Sequence, residues 1–271
     1  MNRRYLYPIL TILVVAILYF AEKYVNKQTE AYPDTSKVLV ESSQEFSENL
    51  LPTSTTGAIV THGFFTLSYS EVHEQAEWVA YELSQSHLSN NEFERPYFVE
   101  DREVKTGSAD YRNYKNSGFD RGHLCPAGDR RFSYEAYHET FLTSNISPQD
   151  REFNSGVWNF LEQKVRYWAK KYDGVYVVTG GVLKEALPTI GDENVSVPEE
   201  FYKIILDASD GNFKVLAFLI PNKATNESFY EFVVPVDDIE AKTGIDFFSS
   251  LPDSIEEKLE ASTDLKGWGK R

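Results

Sequence analysis

The stretch "FDRGHLCPAGDRRF", residues 119–132, crowds charged side chains, a histidine and the chain's one cysteine between glycines and a proline. His123 is suited to act as a general base, since an imidazole with an unperturbed pKa of about 6.5 is largely neutral yet still basic at physiological pH. Arg121, two positions earlier, is suited to holding an anionic group such as a phosphate. Some thirty residues on, "FNSGVWNFLEQKVR" carries Asn154, Glu162 and Arg166. Hydrolysis of a phosphodiester needs these residue types. A base takes a proton from water, a cation stabilises charge on the phosphoryl group and the leaving oxygen, and basic side chains hold the backbone. On a regular helix, eight residues correspond to a rotation of about 80° and an advance of about 12 Å. Asn154 and Glu162 would then share a broad face without holding one ion side by side. If Asn154 contacts a metal, Glu162 acts through water, which suits Mg²⁺ because that ion keeps most of its waters.

Each residue also has a plainer explanation. Asn154 can cap the helix that follows it. Glu162 and Arg166, four apart, can be an exposed pair worth a few tenths of a kcal/mol. Arg130 and Arg131 read as a solvated pair, and His62, His73, His87 and His138 as structural or surface residues. Cys125 lies two positions from His123, but two ligands do not make a structural zinc site. It reads as a small buried hydrophobe.

The single cysteine excludes an intrachain disulfide framework. A net charge of -15 would repel a polyanion if spread evenly, but residues 112–171 carry ten Lys and Arg against seven Asp and Glu. The chemistry-bearing stretch is thus locally basic on an acidic chain, which favours an anionic ligand there.

The elements that must position these residues can be read in outline. Residues 5–21 carry no charge and follow Asn2-Arg3-Arg4. As a helix they span roughly 25 Å, so residues 1–25 are expected to form an uncleaved signal anchor, with the remainder on the extracytoplasmic side. Residues 26–56 are polar and aperiodic and read as a tether, with the folded domain covering 57–265. "GFFTLSYS" and "AEWVAYEL" predict a hairpin. The polar segment 90–118, with Arg95, Arg102 and Arg112, is too long for a mere turn. "SYEAYHETFL" predicts a helix capped by Ser133, and "TSNISPQDREFNSG" reads as a loop. Trp158, Leu161, Val165 and Trp168 form the apolar stripe of an amphipathic helix. "GVYVVTGG" predicts a buried strand, "FYKIILDASDGNFKVLAFLIPN" a hairpin turning at Asp210-Gly211, and residues 236–261 two short acidic helices. The sum is one α+β domain on a tether.

The strings "DRGH", "TFLTSNISPQ" and "NSGVWNFLE", in this order and at these separations, resemble the sugar-non-specific DNA/RNA endonucleases of the ββα-metal superfamily. The likeness is loose over residues 57–251 and tight over 120–162. It implies the ββα-metal (His-Me finger) version of an α+β fold, a central, mostly antiparallel sheet flanked by helices. It also implies roles. His123 becomes the general base, Asn154 the direct protein ligand to Mg²⁺ (with Mn²⁺ as a substitute), and Glu162 the residue that positions water on the metal. Arg121 would hold the scissile phosphate, Arg95 and Arg166 would make further phosphate contacts, and Asn145 would support the site. The implied partners are DNA and RNA, cut to leave 5′-phosphate ends with little base reading. To these are added the membrane, through the N-terminal helix, and a second copy in a homodimer. The rival reading is a silent nuclease-like domain that binds nucleic acid or a partner protein. A phosphodiesterase for small esters is disfavoured by the basic loop around residues 95–112.

Overall fold

Strand formers dominate four long segments: β3 (Gln75–Ser84), β6 (Gly174–Gly181), β9 (Glu200–Asp207) and β10 (Lys214–Pro221). In the computed structural model, which describes residues 50–209 and 213–269, these join β1 (Ile59–Thr61), β2 (Thr66–Ser70) and β11 (Val233–Val234). The result is a seven-stranded sheet in the order β1-β2-β3-β6-β9-β10-β11, antiparallel at every pairing. The anchor expected at 1–25, residues 26–49 of the tether and the Asp210-Gly211 turn lie outside the described residues. Among those described, no helix is long and apolar enough to cross a membrane.

Successive side chains of a strand point to opposite faces, and here both faces are covered. One carries Leu67, Tyr69, Val79, Tyr81, Val177, Ile205 and Phe218, packed against Phe153, Trp158, Leu161, Val165 and Trp168. The other carries Trp78, Ala80, Tyr176, Val178, Ile204 and Ala217, packed against Val236, Ile239, Phe247, Phe248 and Leu259. Leu50 belongs to this second face, and Trp78 Nε1 donates to the carbonyl of Thr53. The packed body therefore takes in residues ahead of Gly57.

The helices Tyr134–Glu139, Asn159–Lys171, Val236–Thr243 and Asp253–Glu260 lie where the sequence predicts helix. Helix α1 (Tyr134–Glu139) is capped by Ser133, whose hydroxyl accepts from the Ala136 amide. A single turn α2 (Arg151–Phe153) leads through a wide π turn (Asn154–Trp158) into α3 (Asn159–Lys171), which buries the Trp158-Leu161-Val165-Trp168 stripe. Helices α4 (Val236–Thr243) and α5 (Asp253–Glu260) close the second face.

The segment "TSNISPQDREFNSG" departs from the loop reading in the helical turn α2 and in a strand. "SNISPQ" is not loop throughout, because Ile146–Gln149 forms strand β5, antiparallel to β4 (Asp120–His123), with His123 opposite Ile146 and Asp120 opposite Gln149. Four-residue strands show too little alternation to reveal themselves. Pro148, which lacks an N–H, is tolerated in a two-stranded ribbon where a longer sheet would reject it. With β7 (Thr189–Ile190) and β8 (Val195–Ser196) as a further minor pair, β4, β5 and the helical run 151–171 make a strand-strand-helix unit against the main sheet.

Candidate active site

The long segment 90–118 is irregular, and its place is set by aromatics. Phe98 and Phe141 pack 5.1 Å apart between ring centroids, within a small cluster that includes Tyr114, Tyr137 and Ile146. His123, at the end of β4, lies against both, 5.5 Å from Phe98 and edge-on to Phe141 at 5.0 Å. Arg95 sits 5.7 Å from the Phe98 ring and 5.5 Å from Phe141, while Arg121 sits 5.0 Å from Phe98 and 5.9 Å from Tyr111. Two guanidinium groups from separate segments and the imidazole thus converge on one aromatic platform. Burial, and next the charge of Arg95, push the His123 imidazole down to about 3, so it is neutral at physiological pH. Its Nε2 is sealed from solvent without a hydrogen-bond partner. Gly122, beside it, is required by a close approach. A Cβ there would lie 2.2 Å from Cδ of Gln149, a fully buried side chain whose two amide atoms also lack partners.

Asn154 is not the helix cap. That position is filled by Asp150, whose carboxylate accepts from the amides of Glu152 and Phe153. Asn154 opens the π turn instead, and its Nδ2 donates to Asp120 Oδ2 at 3.2 Å. This bond ties the helical run to the strand that carries His123, and it leaves Oδ1 as the free end of the amide. The π turn, with Gly156 outside helical φ/ψ, also removes the regular-helix relation assumed between Asn154 and Glu162.

Glu162 is half-buried, not exposed. Burial raises its carboxyl, opposed by the ammonium of Lys203, and the charge of Asp129 adds to the rise. Lys203 is fully buried on β9, 4.6 Å from the Trp158 ring, and donates to Thr179 Oγ1. Arg166 bonds Asp129 at 2.7 Å through Nη1, and the Tyr81 hydroxyl donates to the other oxygen of the same carboxylate. The exposed Glu162–Arg166 pair therefore gives way to a cluster in which Asp129 is Arg166's partner. Arg130 is corrected likewise: it is 1% exposed and donates to the carbonyls of Phe64, Glu82 and Asp129, whereas Arg131 is exposed. Asn145 is completely buried. Its Oδ1 accepts from the Cys125 amide, and its Nδ2 donates to the carbonyls of Cys125 and Thr140, so it braces the chain just past His123 and has no bond left for a phosphate. Cys125 is a buried free thiol pushed up to about 12 by burial.

Asp120, Asp129 and Lys203 escaped the sequence reading, as did Phe98 and Phe141. Lys203 left a signal, a lone cation inside the apolar run "FYKIILD". The aromatic pair left none, since Phe98 and Phe141 lie forty-three residues apart.

A profile of the DNA/RNA non-specific endonucleases matches residues 42–254 of the chain. The chain belongs to this family. Mitochondrial nuclease EXOG of Danio rerio is 36% identical over 202 residues, which cover 68% of this chain and 59% of that protein. Mitochondrial endonuclease G of Caenorhabditis elegans is 35% identical over 214 residues, 72% of this chain and 70% of its own. For human mitochondrial endonuclease G the identity is 33% over 205 residues, 69% and 68%. A chain in the crystal structure of the EndoG/EndoGI complex, which addresses the mechanism of EndoG inhibition, superposes with a TM-score of 0.70 at 27% identity, over 82% of this chain and 95% of its own. The fold of this endonuclease family member is accordingly the ββα-metal one, and the strand-strand-helix unit of β4, β5 and residues 151–171 is its core.

The family is metal-dependent, and the residues present fit a hydrated cation. Asn154 offers one neutral amide oxygen, Asp120 adds a carboxylate beside it, and Gln149 keeps a buried, unpartnered amide next to the same strand. Among the described residues, the two carboxylate triplets spaced to hold an ion lie elsewhere, on α4, α5 and the loop between them. A site with one amide ligand suits an ion that retains most of its water.

Proposed function

We propose that the chain is a Mg²⁺-dependent, sugar-non-specific endonuclease that hydrolyses phosphodiester bonds in DNA and RNA, with Mn²⁺ able to substitute. The observation that carries this reading is the convergence of Arg95, Arg121 and neutral His123 on the Phe98-Phe141 platform, with Asn154 bonded to the same strand through Asp120. Arg121 and Arg95 hold the scissile phosphate, and contacts to phosphate carry no sequence information directly. His123 is the base. With Nε2 sealed, Nδ1 is the nitrogen left to take a proton from the attacking water. Water oxygen bonds to phosphorus, the bond from phosphorus to the 3′ oxygen breaks, and that oxygen takes a proton from a solvent water, so the products are a 5′-phosphate and a 3′-hydroxyl. Asn154 would hold the cation, which when bound supplies electrostatic stabilisation of the charge developing at the phosphoryl group. Glu162, held inward by Lys203, orders the water around that position, and Arg166 lies beside it. Asn145 keeps the segment after His123 in place. The N-terminal apolar segment anchors the enzyme to a membrane, with the catalytic domain on its extracytoplasmic side.

The test is digestion of plasmid DNA and of RNA by the purified full-length chain, with Mg²⁺ or with EDTA. Both substrates should be cut, and EDTA, His123→Ala or Asn154→Ala should each abolish cutting. Cleavage that survives EDTA or His123→Ala refutes the mechanism. Retention of nucleic acid without cleavage by the intact chain would instead support the silent binding domain.

A further inference from the structure

On the sheet face opposite the active site, carboxylates crowd between the last two helices. Asp237 and Glu240 share one side of α4, and Glu256 and Glu260, four apart, share one side of α5. Gly244, at φ +70°, ends α4 and turns the chain so that Asp246 comes back towards them. Carboxylate oxygens of Asp246, Glu256 and Glu260 all lie within 4.8 Å of one another, as do those of Asp237, Glu240 and Glu260. Glu240, Gly244, Ile245, Asp246, Glu256 and Glu260 line a cavity of about 340 Å³.

Acidic patches are ordinary on a chain of net charge -15, but Glu260 is not a patch residue. It is 8% exposed, and its Oε1 is sealed from solvent with no hydrogen-bond donor. The neighbouring Glu240 carboxyl hydrogen-bonds to that of Glu260, and Glu240 Oε1 also accepts from the Phe247 amide. Lys242 on α4 bonds Glu200, and Lys258 on α5 is exposed. A buried carboxylate oxygen without a donor, at the junction of two carboxylate triplets, is an acceptor awaiting a cation.

We propose that Asp246, Glu256 and Glu260, with Glu240 as the fourth carboxylate of the same cavity, form a Ca²⁺ site that staples α4, the loop after it and α5 to one another. The donor set is oxygen alone, which selects a hard cation over zinc or copper. Ca²⁺ takes six to eight oxygens in flexible geometry and sheds its water readily, whereas Mg²⁺ demands an octahedron and keeps its hydration. The cavity has room for waters that complete the shell. None of these residues belongs to the active site, so the ion acts on the stability of the C-terminal region and not on the chemistry.

The test is Ca²⁺ titration by calorimetry on the full-length, metal-stripped chain, with thermal unfolding in parallel. Wild type and Asn154→Ala should both bind Ca²⁺ saturably. At a hundredfold excess over Kd the Tm should rise by about 5 °C or more. Glu260→Gln should weaken binding at least about tenfold while leaving the metal-free Tm close to wild type, because glutamine keeps the size of the side chain and adds no charge. Glu256→Gln, at a half-buried position, guards against a folding defect and should weaken binding similarly. No saturable binding below about 10 mM, or an isotherm and Tm shift unchanged in both glutamine variants, overturns the proposal.

Discussion

Replacing Arg166 by methionine separates two accounts of this residue. As the exposed i, i+4 partner of Glu162 it would contribute a few tenths of a kcal/mol. In the structure its guanidinium is 26% exposed and bonds a carboxylate, Asp129, that is 1% exposed and has the Tyr81 hydroxyl as its other donor. Removing one partner of such a pair strands a buried charge, which typically costs 3–5 kcal/mol. Because Arg166 keeps some contact with water, we expect about 3 kcal/mol, the low end of that range. In a domain of this size that lowers the Tm by about 6–12 °C. Urea unfolding at pH 7 followed by tryptophan fluorescence reports it directly, since Trp158 and Trp168 lie on the same helical run. Asp129→Asn combined with Arg166→Met removes the buried charge as well, and should recover more than half of the loss. If Arg166 also contacts a phosphate, the double variant regains stability but not nuclease activity. A shift in Tm below about 2 °C for Arg166→Met refutes the buried-pair account.

Four further outcomes are expected. Asn145→Leu leaves the buried amide and carbonyl of Cys125 without partners and should cost about 2–4 kcal/mol in chemical denaturation; a loss below about 1 kcal/mol would show that Asn145 does not brace this segment. The His123 imidazole, held down by burial and Arg95, should remain neutral by NMR titration to below pH 5, and a midpoint above about 5.5 contradicts its enclosure. Since His123 and His87 are both lowered to about 3 against an unfolded value near 6.5, only the unfolded chain takes up these protons below pH 6.5, so both destabilise the fold on acidification. Glu260 works in the opposite direction. Raised to about 8 by burial and its carboxylate neighbours, it is protonated in the fold but ionised in the unfolded chain above about pH 4.5, so metal-free protein should lose stability as pH rises towards 8. The stability difference between wild type and Glu260→Gln should change across that window without Ca²⁺; a pH-independent difference contradicts the shift.

The parts of the fold written in the sequence are those with a long enough period. The β3, β6, β9 and β10 segments and the stripe of α3 repeat over eight or more residues, and all appear where expected. β4 and β5 are four residues each and pair across more than twenty intervening residues, so composition alone presents them as loop. The candidate site divides in the same way. His123 and Asn154 stand out by motif, but what surrounds them comes from distant segments. Phe98 and Phe141 form the platform, Lys203 reaches from β9, and Asp129 takes Arg166 away from Glu162. Arg130 reads as solvated from its sequence neighbours, and there burial with backbone partners wins over that expectation.

The π turn at Asn154–Trp158 gives the helical run two independent registers. Downstream, the Leu161-Val165-Trp168 stripe is locked to the sheet, so α3 cannot rotate without exposing its core face. Upstream, Asn154 takes its direction from Asp120 on β4. The widened turn absorbs the angular mismatch between the two. In a regular helix one residue is worth about 100° of rotation, so deleting a single residue within this turn would leave α3 seated while swinging Asn154 away from Asp120. The length of five residues, more than the identity of any one of them, sets where the amide points.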